Sequence, residues 1–242
     1  MVKIMKDLTT KDDWEDMKSE GWVRDLPLKG IFHNYLTKTN GRAIEIGCVP
    51  GQFLAYICRE FGYFPEGIDY VKNAGKITGQ TLKNNGLNKF KIHQADFRTW
   101  KTNKKYDLVC SFGFIEHFSN PEDIMKKHIA LLKNDGKLIV EVPNFGGFKG
   151  WLQKTFDTEN YNKHNSKVMN LEFYKKVAEK NKLKIIHLGY SEGFKIWWVN
   201  KNPTLYQKIV HHFFKIISLA TQNLNMNNRL STFIVFAAEK NK

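Results

Sequence analysis

Cysteine is scarce in this 242-residue sequence, which contains only three. Cys48, Cys58 and Cys110 form no Cys-x-x-Cys pair and lie among apolar or glycine-containing stretches. Disulfide-stabilised domains and structural zinc sites need several cysteines at close, regular spacing. The three cysteines therefore predict reduced thiols in a buried core, with neither a disulfide framework nor a zinc site.

Long apolar runs are also lacking. No stretch reaches the roughly 20 consecutive apolar residues that a membrane-spanning helix requires, and the charged start of the chain has no apolar segment typical of a signal peptide. Together with the few cysteines, this predicts a cytoplasmic protein. The length suits a single α/β domain spanning 1–242 with a large buried core.

Acidic residues are outnumbered, 24 against 38 basic ones, which gives a net charge of +14. Such a charge favours encounters with nucleic acid, anionic lipid or phosphorylated sugars. The lysines, however, are spread along the whole chain, as on an ordinary solvated surface. A general surface effect is the favoured interpretation, and an anionic partner remains the alternative.

Short apolar runs alternate with helical patterns after residue 40, which predicts a mostly parallel sheet with helices on both faces. The predicted strands are 42–47, 64–69, 90–94, 106–111, 137–142, 183–189 and 232–239. The predicted helices are 53–61, 72–84, 121–133 and 171–181. No helix separates the final strand from the chain end, so we expect that strand to pair antiparallel with a neighbour.

The remaining segments divide the predicted domain. We expect a helical cap over 1–40, a cofactor-binding core over 41–143, a lid-like crossover over 144–169 and a helical insert over 194–230. The insert contains an amphipathic helix, 205–220, for which core packing or a dimer contact is the favoured interpretation. Binding of this cationic helix to a membrane surface is the alternative.

Glycines at the end of the first predicted strand indicate a ligand-binding turn, because they let the backbone approach a ligand closely. A dinucleotide fingerprint starting at Gly47 would need glycines at positions 49 and 52, where the chain has Val49 and Gln52. The segment Glu45-Ile-Gly47-Cys48-Val49-Pro-Gly51 instead resembles motif I, E/D-x-G-x-G-x-G, of class I S-adenosylmethionine-dependent methyltransferases, with valine replacing the second glycine.

Segments at three further strand ends resemble motifs of the same family, and they occur in the same order and at similar spacing. Asp69, followed by Tyr70, is similar to the acid that binds the ribose hydroxyls, although an acid there also suits a helix cap. Asp96-Phe97 resembles the adenine-contacting loop, and Ser111-Phe112 resembles the strand end beneath the methionine part. The resemblance implies a Rossmann-like seven-stranded fold with its last strand antiparallel, S-adenosylmethionine as cofactor and S-adenosylhomocysteine as product.

Methyl transfer from a sulfonium depends mainly on in-line placement, and a hydroxyl nucleophile gains from a nearby base. His117, in a Glu-His pair after the fourth strand, and His164, in the crossover, are the candidate catalytic residues, each with a purely structural role as the alternative. Gly113 replaces an acid that holds a metal in some quinone-forming members, so no metal is expected.

The expected function is methylation of an oxygen or nitrogen on a small molecule, sugar or lipid-linked acceptor. RNA methylation is the alternative prompted by the charge, but the Asp/Asn-Pro-Pro-aromatic run of amino-methylating nucleic-acid enzymes is missing after the fourth strand. A non-catalytic cofactor-binding module that docks on a partner or membrane is the other alternative, and an oligomer remains open.

Overall fold

The computed structural model describes residues 7–14, 16–198, 203–221, 224 and 229–241. Its centre is a seven-stranded sheet with the order β3-β2-β1-β4-β5-β7-β6. The strands are Arg42–Ile46 (β1), Phe64–Asp69 (β2), Lys91–Gln94 (β3), Tyr106–Phe112 (β4), Leu132–Pro143 (β5), Leu183–Ser191 (β6) and Phe233–Lys240 (β7). Only β7 runs against its neighbours: it pairs antiparallel with β5 on one side and β6 on the other. The predicted α/β fold with an antiparallel last strand is confirmed.

Helices cover both faces of the sheet. Those described are Lys29–Tyr35 (α1), Gln52–Phe61 (α2), Ala74–Asn84 (α3), Pro121–Ala130 (α4), Gly147–Phe156 (α5), Thr158–Asn162 (α6), Leu171–Lys180 (α7) and Leu205–Thr221 (α8). Side chains of α4 and α7 pack on one face of the sheet, and side chains of α1, α2 and α3 pack on the other.

The apolar strands explain this arrangement, because successive residues of a strand point to opposite faces. On β1, Ala43 contributes to the core under α1 and α2, and Ile44 to the core under α4 and α7. On β5, Ile139 and Val140 divide in the same way. β1 and β5 are therefore buried on both faces, as parallel strands usually are.

The N-terminal part is less helical than expected. Within 16–40 the structure has only the seven-residue α1, and the segment before it crosses the surface without regular structure. There the Val23 amide donates to Asn85 Oδ1 at 2.9 Å, and the Glu20 amide donates to Thr81 Oγ1 at 2.8 Å. The side chains of Thr81 and of Asn85, the residue after α3, thus accept hydrogen bonds from backbone amides that would bond within the segment if it were helical.

The crossover after β5 contains two helices, α5 and α6, and a short 3₁₀ turn at Ser166–Val168. Its role as a lid stays a prediction. Among the described residues, none of the helices combines the length and apolarity needed to cross a bilayer.

Candidate functional site

A cavity of about 560 Å³ opens at the edge of the sheet where the strands β1, β2 and β4 end. This is the position at which open α/β sheets bind ligands. Nine of the residues predicted from the sequence line this cavity. They are Glu45, Gly47, Val49, Gly51, Asp69, Tyr70, Phe112, His117 and His164.

The loop after β1 has two glycines in conformations that only glycine adopts easily. Gly47 has φ +73°, and a Cβ there would lie 2.5 Å from a ring carbon of Phe114. Gly51 has φ +98°, and its Cβ would lie 2.8 Å from the Thr78 methyl. Val49 between them does not have a positive φ, so a side chain is tolerated where the family pattern has a glycine.

Asp69 ties this loop to the end of β2. Its Oδ2 accepts the Val49 amide at 3.1 Å, and its Oδ1 accepts the Val71 amide at 2.9 Å. Burial raises the pKa of Asp69 despite these hydrogen bonds. Each carboxylate oxygen keeps acceptor capacity for a further donor, such as a ribose hydroxyl.

Glu45 lies deeper, beneath the same loop. Burial, followed by repulsion from Asp69, raises its pKa well above the ordinary value, while a hydrogen bond from the Leu54 backbone amide opposes the shift. Its Oε2 has no hydrogen-bond partner in the described protein.

The predicted adenine side lies next to the main cavity. A small neighbouring pocket is lined by Asp69, Tyr70, Asp96 and Phe97. Burial opposes ionisation of Asp96, but its hydrogen bonds with Arg98, one of them 2.7 Å long, outweigh that effect and lower the pKa of Asp96. The carboxylate is thus held as an ionised acceptor.

Cys48 and Ser111 lie behind the cavity wall instead of lining it. Both are buried; the Cys48 Sγ is 3.8 Å from Thr78 Oγ1, and Ser111 Oγ has no hydrogen-bond partner among the described residues. Their contact with the cofactor stays a prediction.

The two candidate histidines meet in the wall of the cavity, with ring centroids 4.8 Å apart. Nδ1 of His117 lies 3.0 Å from the Lys163 carbonyl oxygen, and Nδ1 of His164 lies 2.7 Å from that of Asn160. A carbonyl oxygen only accepts, so both Nδ1 atoms carry a proton and both Nε2 atoms are acceptors. Burial lowers the pKa of His164 and lowers that of His117 to about 3. Both rings are therefore neutral at pH 7.

The sequence profile of a family described as a methyltransferase domain matches residues 23–188. The chain belongs to this methyltransferase family. A ubiquinone biosynthesis O-methyltransferase from Glaesserella parasuis serovar 5 is 30% identical over 127 residues, which are 49% of this chain and 52% of that protein. The chain thus spans about half the length of the curated relatives it matches.

Solved structures support the fold of this chain. A protein from Bacillus halodurans C-125, described as a methyltransferase, has a TM-score of 0.64 at 16% identity over 89% of this chain and 99% of its own. The plantazolicin methyltransferase BpumL, solved with S-adenosylhomocysteine, has a TM-score of 0.57 at 18% identity over 89% and 82%. The fold is that of class I S-adenosylmethionine-dependent methyltransferases, and S-adenosylmethionine is the cofactor of this family.

Two acids absent from the predicted site, Glu116 and Glu141, also line the cavity. Burial raises the pKa of Glu116 to about 8, and burial together with repulsion from Glu116 raises the pKa of Glu141. Each carboxyl has one oxygen without a hydrogen-bond partner in the described protein. Glu141 was detectable in the sequence as a lone acid within the apolar run of β5.

Glu116, His117 and His164 form a compact group, with one donor atom of each within 4.8 Å of the others. Histidines that donate Nδ1–H to a carbonyl present Nε2 in the manner of metal ligands. These residues could hold a metal ion, and the expectation that none binds stays a prediction.

Proposed function

We propose that this protein transfers the methyl group of S-adenosylmethionine to an oxygen or nitrogen of a small molecule, sugar or lipid-linked acceptor. One observation carries the proposal: a single cavity is lined both by the glycine loop with Asp69 and by two neutral imidazoles. Such a cavity can bring a cofactor and an acceptor together in one line.

The cofactor would lie along the ends of the strands. Asp69, with Tyr70 beside it, would accept hydrogen bonds from the ribose hydroxyls. The loop from Glu45 to Gly51 would lie along the methionine part of the cofactor. The adenine would lie toward Asp96 and Phe97. Ser111 and Phe112, which end β4, would support the methionine part.

The histidines would serve the acceptor. S-adenosylmethionine would supply the methyl group and leave as S-adenosylhomocysteine, and the methylated acceptor atom would become more acidic. A neutral Nε2 of His164 can then take the departing proton. His117 is the more deeply buried ring. It would contact the acceptor and keep His164 in place through the packing of the two rings.

The cavity lining indicates the acceptor class. Aromatic rings line much of the cavity, and two of them lie against the histidines: Trp14 on His117 and Phe145 on His164, with ring centroids 5.1 and 4.8 Å apart. The other rings in the lining include Phe114, Phe118 and Trp197. An acceptor with an aromatic or lipid part fits this lining, and the name of the Glaesserella relative, an O-methyltransferase, supports oxygen as the methylated atom.

Calorimetry with S-adenosylhomocysteine, followed by transfer of labelled methyl groups to hydroxylated aromatics with and without an alkyl tail, tests the proposal. We expect micromolar binding of the product and labelling of at least one aromatic. Absence of S-adenosylhomocysteine binding would refute the proposal, and labelling of RNA alone would favour nucleic acid as the acceptor.

The variant His164→Ala tests the assigned base. Its kcat should fall by roughly 10²- to 10⁴-fold, since general base catalysis is lost, while its affinity for S-adenosylhomocysteine stays that of the wild type. His212→Ala, at an exposed position of α8, is the matched control. A wild-type kcat in His164→Ala would remove His164 from catalysis.

A further inference from the structure

Helix α8 is apolar over a wider arc than its described neighbours cover. Val210, Phe214 and Ile217 point inward and pack with a small core formed by Leu152, Phe156 and Phe194. At 100° per residue, Leu205, Ile209 and Ile216 fall roughly 110–150° away from this inward group. Apolar helix surface is normally buried, yet this part of α8 is exposed among the described residues.

Exposed aromatic side chains of α5 lie beside α8. Phe148 stacks on Trp151 with ring centroids 5.7 Å apart, and its ring centroid lies 6.2 Å from that of Phe214, an inward-pointing residue of α8. We call the combined surface the outer apolar face. All its members are at least half exposed. They are Phe148, Trp151, Leu205, Tyr206, Ile209, Phe213, Ile216 and Leu219. Contiguous exposed apolar surface of this kind marks an interaction site.

The charge around this face indicates its partner. Lys208 and Lys215 lie along one flank of α8, and Lys154 is exposed on α5. No aspartate or glutamate occurs anywhere between Glu192 and Glu239. An apolar stripe flanked by lysines and free of acids matches a helix that lies in an anionic lipid interface. Two copies of the chain joined through this face would bring like charges together.

The face is also joined to the cavity. Gln153 of α5 and Asn160 of α6 donate side-chain hydrogen bonds of 2.8 and 2.9 Å to the carbonyl oxygen of Trp197. Trp197 and Asn160 line the cavity, and the Asn160 carbonyl oxygen accepts a hydrogen bond from His164. The helix that presents Phe148 and Trp151 to solvent therefore also holds part of the cavity wall.

From these contacts and charges we infer that the outer apolar face docks on an anionic membrane surface. The apolar side chains enter the boundary between headgroups and acyl chains, and the flanking lysines contact anionic headgroups. The inference is independent of the acceptor, because it concerns only the outer side of α5 and α8.

Vesicle co-sedimentation of the full chain tests this inference. We expect binding to phosphatidylcholine–phosphatidylglycerol vesicles that is at least about tenfold stronger than to phosphatidylcholine vesicles and that weakens with added salt. The triple variant Ile209→Gln, Phe213→Gln, Ile216→Gln should lose binding, and Lys208→Gln with Lys215→Gln should weaken it about tenfold or more.

The controls lie on other parts of the surface. Ile185→Gln replaces an exposed apolar residue of β6, and Lys176→Gln with Lys180→Gln removes the same charge from α7. These controls should bind vesicles as the wild type does. Thermal melts and S-adenosylhomocysteine binding show that each variant is folded.

Three outcomes would overturn the inference. One is absence of wild-type binding to either vesicle, and another is undiminished binding of the folded triple variant. The third is a wild-type dimer in gel filtration that the triple variant converts to monomer without any vesicle binding, which would assign the face to a second copy of the chain.

Discussion

At the scale of single residues, Asp69 combines two tasks. Its oxygens hold the amides of Val49 and Val71, and the same oxygens face the cavity where a ribose would bind. Removing the carboxylate would therefore remove both the proposed ribose contact and a tie between β2 and the glycine loop.

We expect Asp69→Ala to weaken S-adenosylhomocysteine binding by about 1.5–3 kcal/mol, since hydrogen bonds to a charged group are lost. Calorimetry measures the change. Asp123→Ala, at an exposed ion pair of α4 with Lys126, should bind as the wild type does. Unchanged affinity in Asp69→Ala would place the ribose elsewhere.

Lys149 is a buried amine whose stability contribution changes with pH. Its Nζ donates to the Ser231 carbonyl at 3.0 Å, and burial lowers its pKa to about 7. Between pH 7 and its ordinary pKa of 10.5, the unfolded chain holds a proton that the folded protein has released. Stability should therefore rise with pH across that window and be lowest below it.

Replacement by methionine should remove this dependence. From pH 7 to about pH 10, the free energy of unfolding of the wild type should increase relative to that of Lys149→Met by on the order of a few kcal/mol. Thermal melts at each pH measure this difference. Lys154→Met, at an exposed position of the same helix, should show no such change. Parallel pH curves for wild type and Lys149→Met would contradict the assignment.

Only some of the residues that line the cavity could be predicted from the sequence. Gly47, Gly51 and Asp69 were predictable because strand ends and glycines have local signatures. Glu116 was visible beside His117, but Trp14, Asn160 and Trp197 carry no local signal. Their place in the cavity wall depends on contacts between distant segments.

At the scale of elements, the turn between β1 and α2 depends on a close approach of backbone to Phe114. We expect Gly47→Ala to destabilise the protein by roughly 1–3 kcal/mol, because the new Cβ meets Phe114 at 2.5 Å in a backbone conformation with positive φ. Chemical denaturation measures the loss.

Gly75→Ala is the matched control, since a Cβ at Gly75 in α3 would meet nothing within 4 Å. It should be neutral or stabilising by up to about 1 kcal/mol, as alanine favours a helix. Equal effects of the two substitutions would contradict the explanation for Gly47.

Predicted strands agree with the structure to within a few residues, apart from β5, which begins at Leu132 instead of 137. The apolar runs reveal strands because both faces are buried. The N-terminal segment was predicted as helical from its aromatic residues, but Thr81 of α3 and Asn85, the residue after α3, hold its backbone without regular structure. Such long-range partners cannot be read from a local pattern.

At the scale of the whole molecule, ligand binding should be visible as stabilisation. At S-adenosylhomocysteine concentrations of about 100 times Kd, mass action adds about 2.7 kcal/mol. For a chain of this length we expect the melting temperature to rise by roughly 5–10 °C. Homocysteine at the same concentration should cause little change, and an unshifted melt with S-adenosylhomocysteine would contradict binding to the folded protein.

The position of β7 has a consequence for biosynthesis. Since β7 lies between β5 and β6, a nascent chain that has reached β6 has an open edge on β5 and no sheet partner for β6, and open edges invite pairing with other chains. The sheet can be completed only when residues 233–240 have left the ribosome. Premature termination just before this segment should therefore yield aggregates and not a smaller folded protein.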